Sequence, residues 1–225
     1  MSIELESNII RHYLRNVYFI NGTAYAGKST MVHMLAERFD MIECGENYHM
    51  AVSRQIATPE KQPASSYFST MSGWEEFLNR TPEEYEKWIE DGKWEIAQFE
   101  IAELIRLSAQ GKKMIVDTNI PLEMLREISG YDHVAVMLSP QSMSVERFFD
   151  RSDPEKQFLL NEIDKCPDPD KTMANFRACL ARINSPEVYE QMKNSGFFVH
   201  VREDCEKDTR EETLDKLARH FRLSL

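Results

Sequence analysis

The residues best suited to chemistry in this chain lie together at Gly22-Thr23-Ala24-Tyr25-Ala26-Gly27-Lys28-Ser29-Thr30, a G-x-x-x-x-G-K-[ST] pattern. Glycines at both ends of such a loop allow turns that a Cβ would obstruct, so that successive N–H groups converge on phosphate oxygens. The N-terminus of a following helix adds its positive end to the same place. Lys28 is then placed to neutralise the outer phosphates of a nucleotide, and the Ser29 hydroxyl to ligate a bridging Mg²⁺. Thr30 is expected to pack or cap inside the helix. A chance glycine-rich turn would satisfy the same string. The surroundings argue otherwise: the β-branched and aromatic run Val17-Tyr18-Phe19-Ile20 precedes it, and Met31, Met34, Leu35 and Phe39 follow with helical spacing.

A nucleotide needs further groups around it, and the chain offers candidates in order. Glu43-Cys44-Gly45-Glu46-Asn47-Tyr48-His49 brings two carboxylates and a histidine to the end of an expected strand. Glu46 or Glu43 could orient an attacking hydroxyl and take its proton, with a charged solvated loop as the alternative. His49 reads more simply as a hydrogen-bonding residue. Asp117 closes the apolar run Met114-Ile115-Val116 and is the natural partner for Mg²⁺, directly or through water; a turn-capping Asp is the other reading. Asn119 could contact substrate. Arg147 and Arg151 stand four apart on a helix face, as a lid closing over a transferring group requires, unless they pair with neighbouring Glu146, Asp150 or Asp153. Arg202, after the last strand, could stack on a nucleobase or form a surface ion pair.

Those residues need a scaffold, and the apolar patterning supplies one. Strands are expected at 17–20, 41–44, 113–117, 133–138 and 197–201, alternating with helices, which gives an α/β fold with a parallel sheet covered on both faces. A short amphipathic helix is expected over 3–15, and the helix after the glycine-rich loop is expected to stop near residue 38 or 39. Between the second and third strands lie about 65 residues, far more than a crossover needs. Within them, 57–72 is rich in Pro, Ser and Thr and reads as a loop. Thr81-Pro82-Glu83-Glu84 reads as a capping box opening a helix that runs to about 109, broken near Gly92. Arg54, Arg80, Trp74, Tyr85, Trp88 and Trp94 lie in this insert, as ring platforms for a base or as core. A second capping box is expected at Thr209-Arg210-Glu211-Glu212. The whole reads as a single domain over 1–225, with a helical acceptor-binding insert at about 45–111 and a lid at about 144–170.

Composition excludes several classes. A net charge of −11, with 42% hydrophobic and 29% charged residues, is ordinary for a soluble globular protein and makes broad attraction to nucleic acid or an anionic membrane unexpected. Cys44, Cys166, Cys179 and Cys205 show no C-x-x-C pair or zinc spacing, which suits free thiols in a reducing cytoplasm. The acidic start has no apolar run of the signal-peptide kind, and no stretch reaches membrane-span length. A cytoplasmic protein is the expectation.

With these pieces assembled, the chain resembles the P-loop kinases of the nucleoside and nucleotide kinase type, a group that includes shikimate-like and antibiotic kinases. The likeness rests on residues 22–30, the acidic end of the second strand, Asp117, the Arg147/Arg151 pair and the helix start at Asp208-Thr209-Arg210-Glu211-Glu212. It implies a three-layer fold with strand order 2-3-1-4-5, ATP and Mg²⁺ held by Lys28 and Ser29, metal support from Asp117, and a lid carrying Arg147 and Arg151. The implied activity is transfer of the γ-phosphoryl of Mg-ATP to a small acceptor, a nucleoside, nucleotide or related metabolite. Asp117-Thr118-Asn119-Ile120-Pro121 stands where monophosphate kinases often carry Gly-Phe-Pro-Arg after the acid, and no Asp-Thr-Asp of the shikimate kinase kind follows the second strand. The alternative is a nucleotide-dependent switch or assembly ATPase acting on a protein partner, although the guanine signature Asn-Lys-x-Asp is lacking.

Overall fold

A computed structural model describes residues 5–140, 143, 148–149, 154–203 and 207–224. Five strands, β1 (Val17–Gly22), β2 (Ile42–Cys44), β3 (Met114–Asp117), β4 (Val134–Leu138) and β5 (Phe198–Val201), form one parallel sheet in the order β2-β3-β1-β4-β5. The α/β class and strand order are those expected. Pairing of Ile20 with Asp117 and of Gly22 with Met137 puts the ends of β1, β3 and β4 along one edge.

Continuous apolar composition makes β1, β3 and β4 central: every residue of the three is buried. Alternation then divides them between two faces. Ile20, Ile115 and Ala135 face a cluster completed by Met31 and Leu35 of α2 (Lys28–Phe39) and by Leu214, Leu217 and Phe221 around α11 (Arg210–His220). Phe19, Val116 and Val134 face the opposite cluster, with Ile101 and Leu104 of α6 (Pro82–Ser108) and Leu125 of α7 (Leu122–Ile128). α2 stops at Phe39, within the expected limits, and α1 (Ser7–Tyr13) leads into β1.

The insert contains α3 (Met50–Ile56), α4 (Tyr67–Thr70), α5 (Trp74–Leu78) and α6. The Pro- and Ser-rich stretch thus carries one short helix inside what reads as loop. Thr81 forms the expected capping box: its hydroxyl accepts from the Glu84 amide at 3.2 Å, and the Glu84 carboxylate accepts from the Thr81 amide at 2.8 Å. The expected break at Gly92 is absent, and α6 is continuous over 27 residues. Tertiary anchoring of that part of α6 outweighs the weak propensity of one glycine: the Glu95 carboxylate accepts from the Ala64 and Ser65 amides, and the Trp88 indole donates to the Ala64 carbonyl.

After β4 come α8 (Pro154–Asp164), α9 (Pro169–Ile183) and α10 (Pro186–Lys193). Ile163, Phe176, Cys179 and Leu180 bury themselves against Phe77, Leu78 and Tyr85 of the insert. The described part of the expected lid therefore shares a third core with the insert. The second capping box does not form: Thr209 makes no side-chain cap, and Asp208 accepts from the Arg210 amide at 3.1 Å instead. Thr209 has φ −111° and ψ 14°, outside the extended conformation that turns an N-cap side chain toward the third helical amide. Arg147 and Arg151 lie outside the described residues.

Candidate functional site

Gly22 ends β1 and is forced by its neighbour strand. Its φ is +138°, and a Cβ built there would lie 1.8 Å from the Met137 carbonyl oxygen of β4. Gly27 is a different case: with φ +88° it turns the chain into α2, and no heavy atom lies within 4 Å of an added Cβ. Tyr25 takes φ +65° without being glycine. The segment between is fastened to the end of β4: the Thr23 amide donates to the Met137 carbonyl at 3.0 Å, the Ser139 amide to Thr23 Oγ1 at 2.9 Å, and Ser139 Oγ to the Ala24 carbonyl at 2.8 Å. Ser139, buried at the close of β4, carries no motif that would single it out.

The first α-helical hydrogen bond of α2 runs from the Met31 amide to the Gly27 carbonyl. The amides of Lys28, Ser29 and Thr30 are therefore the first-turn donors that a helix cannot satisfy internally, and they sit at its positive end. Lys28 Nζ lies 3.4 Å from the Thr23 carbonyl and 3.8 Å from Asp117 Oδ1. Ser29 Oγ donates to Asp117 Oδ2 at 2.7 Å. Asp117 is fully buried, and its Oδ1 has no hydrogen-bond partner, Lys28 Nζ being too distant for one. Burial pushes the Asp117 carboxyl above its usual range, Lys28 and Ser29 pull it back, and Glu46 pushes further up. A buried, half-satisfied carboxylate beside a serine hydroxyl is chemically suited to a divalent cation. Among the described residues no three His, Cys, Asp or Glu side chains group as a metal site, so such an ion would draw its other oxygens from a ligand and water.

The two glutamates of the second strand separate. Glu43 Oε2 accepts from His33 Nδ1 at 3.0 Å, with both side chains about half exposed. Glu46 Oε1 accepts from Asn119 Nδ2 at 3.1 Å, on the loop that leaves Asp117. Glu46 is therefore the one joined to that loop. His49 is buried against Ser53 Oγ at 3.3 Å, and burial lowers its pKa, so it stands as a neutral structural residue. The insert aromatics divide similarly. Tyr85 is buried, Trp74 and Trp88 pack on the third core, and the Arg80 guanidinium lies 3.7 Å over the Tyr67 ring, while Trp94 is exposed.

On the other side of the glycine-rich segment a cleft of about 360 Å³ opens, lined by Gly27, Thr30, His200, Arg202, Asp208 and Arg210 among others. Thr30 is exposed there, which corrects the expectation that it packs inside the helix: the first turn of α2 turns this position toward the cleft. The Arg202 amide extends β5 by donating to the Leu138 carbonyl at 2.8 Å, and its Nη1 reaches the Tyr25 carbonyl at 3.4 Å.

Comparison with family models, with curated proteins and with solved structures returns no match. The geometry alone carries the functional argument.

One further group was missed by motif reading. Glu100 of α6 is buried to 2% exposure, and its Oε2 accepts from Thr118 Oγ1 at 2.7 Å. Tyr48 OH donates to the Glu100 carbonyl at 3.1 Å. Burial raises the Glu100 carboxyl to about 7, against the hydrogen bonds from Thr118 and Tyr48. A signal was available: Glu100 falls in the apolar stripe Ala97, Ile101 and Leu104, where a lone acid is out of place.

Proposed function

We propose that this protein is a P-loop phosphotransferase that moves the γ-phosphoryl of ATP to a small hydroxyl- or phosphate-bearing acceptor, a nucleoside, nucleotide or related metabolite. The observation that carries this reading is the meeting of Lys28 Nζ, Ser29 Oγ and an Asp117 Oδ1 that accepts no hydrogen bond, at the open first turn of α2.

In this reading the amides of residues 28–30 bind phosphate oxygens, and Lys28 compensates charge on the transferring group. Ser29 and Asp117 would hold Mg²⁺, which when bound neutralises phosphate charge. Glu46 orients the acceptor hydroxyl and takes its proton as the acceptor oxygen bonds to phosphorus. The bond from phosphorus to the β–γ bridging oxygen breaks, and ADP leaves with that electron pair. The 360 Å³ cleft beside Arg202 takes the base. Arg147 and Arg151 are assigned to lid closure. The acidic charge and the thiols suit work in a reducing cytoplasm on small molecules. Among the described residues no helix is long and apolar enough to cross a membrane.

The test is ADP release from Mg-ATP over a panel of nucleosides, nucleotides, sugars and hydroxy acids. One acceptor should raise turnover well above hydrolysis, and Lys28→Ala should lower that turnover about a hundredfold or more. ATP binding with no acceptor-stimulated release would overturn the reading in favour of a partner-controlled ATPase.

A further inference from the structure

Two loops and the helix α6 meet where the acceptor would stand, and side chains join them into a closed ring. Glu46 is bonded to Asn119 at 3.1 Å. The chain passes from Asn119 to Thr118, whose hydroxyl donates to Glu100 at 2.7 Å and accepts from the Ile120 amide at 3.0 Å. Glu100 is bonded through its carbonyl to Tyr48 OH at 3.1 Å, with the carboxylate at 3.5 Å, and Tyr48 returns two residues along the chain to Glu46. Asn21 Nδ2 ties the same turn to β1 by donating to the Ile120 carbonyl at 2.8 Å.

We infer that Glu100 is a positioning residue for the acceptor half of the site: by holding Thr118 it fixes Asn119, and through Asn119 it fixes Glu46 relative to Asp117. This inference rests on the phosphotransfer reading for its kinetic consequence, though the ring itself does not. A carboxylate at this depth costs stability, since the fold could bury an apolar side chain in the same stripe beside Ala97 and Leu104. Its retained bond to Thr118 is worth that cost if the turn must stand at one spacing. What Glu100 supplies is an acceptor oxygen at a fixed place.

The experiment compares Glu100→Gln, which keeps a side-chain oxygen, with Glu100→Met, which has similar volume and no such acceptor. Glu100→Met leaves the Tyr48 bond to the backbone carbonyl in place and removes the hold on Thr118. With Mg-ATP and the acceptor that the panel returns, Glu100→Met should lower kcat at least about tenfold with KM for Mg-ATP within about threefold of wild type. Glu100→Gln should restore kcat to within about threefold. Thr118→Val should reproduce the Glu100→Met loss, and the double variant should lose no more than either alone. Wild-type kcat in Glu100→Met, or a Glu100→Gln as slow as Glu100→Met, would overturn the inference.

A second readout needs no acceptor. Proton exchange at the Asn119 side-chain amide, followed by NMR in Mg-ADP, should quicken in Glu100→Met and stay near wild type in Glu100→Gln. An unchanged amide in Glu100→Met would sink the ring whatever the kinetics. An amide that responds while no acceptor stimulates ADP release would support the ring and count against phosphotransfer.

Discussion

Glycine at positions 22 and 27 serves two separate physical needs. At Gly22 the obstacle is the Met137 carbonyl, rigid backbone of the next strand, so Gly22→Ala must move β1 from β4. A loss of about 3 kcal/mol or more in urea unfolding is expected, in the range of severe overpacking. At Gly27 there is room for a methyl group, and only left-handed backbone strain is added, about 1–2 kcal/mol. Gly27→Ala should therefore fold well while weakening nucleotide affinity, measured by calorimetric titration with Mg-ADP.

Glu100 gives the residue scale a pH dependence. Its carboxyl titrates near 7 in the folded protein and near 4.5 in the free side chain. Between those values the folded state holds a proton that the unfolded chain has released, so stability contributed by this group falls as pH rises. The loss is complete above about pH 7 and amounts to roughly 3 kcal/mol. Glu100→Gln removes the titration. Its unfolding free energy relative to wild type should rise by about that amount between pH 4.5 and 7.5, as urea unfolding at each pH would show.

At the scale of elements, the strands were legible and the connections less so. Val17 to Ile20, Met114 to Val116 and Val134 to Leu138 are continuous apolar runs of strand length, and burial on both faces is what such runs require. Gly92 misled because an isolated glycine signals a break only when tertiary contacts do not hold the helix together. Gly92→Ala should raise stability by about 0.5–1 kcal/mol: the new methyl would sit 3.9 Å from the Ala64 Cβ, an ordinary contact, and the helix gains propensity. Thermal unfolding would check it, and a lower Tm would show that the site is tighter than that distance implies. Thr209 misled for the opposite reason. The string fits a cap, but the preceding Asp208 takes Arg210 both by its amide and by its guanidinium.

Across the whole molecule, the site divides into a half written locally and a half assembled from afar. Lys28 and Ser29 are legible because one short segment holds them. Glu100 and Thr118 lie 18 residues apart, and Thr23 and Ser139 lie 116 apart. No local pattern reports such pairs before the sheet order brings them together. The aromatic unit is another product of distance, since Phe77 and Tyr85 of the insert meet Phe176 from beyond β4. Phe176→Ala should cost about 3–5 kcal/mol in urea unfolding. It should also loosen the insert and the helices after β4 together, visible as faster amide exchange in α5 and α9 alike.

The fastening of Thr23 to Ser139 has a consequence for affinity. Because the end of β4 already holds that stretch of backbone, much of its loss of conformational freedom belongs to folding, and under the proposed function a phosphate arriving at α2 would meet a preorganised receptor. Its binding free energy would then go into contact and charge compensation, with little diverted to ordering the backbone that surrounds it.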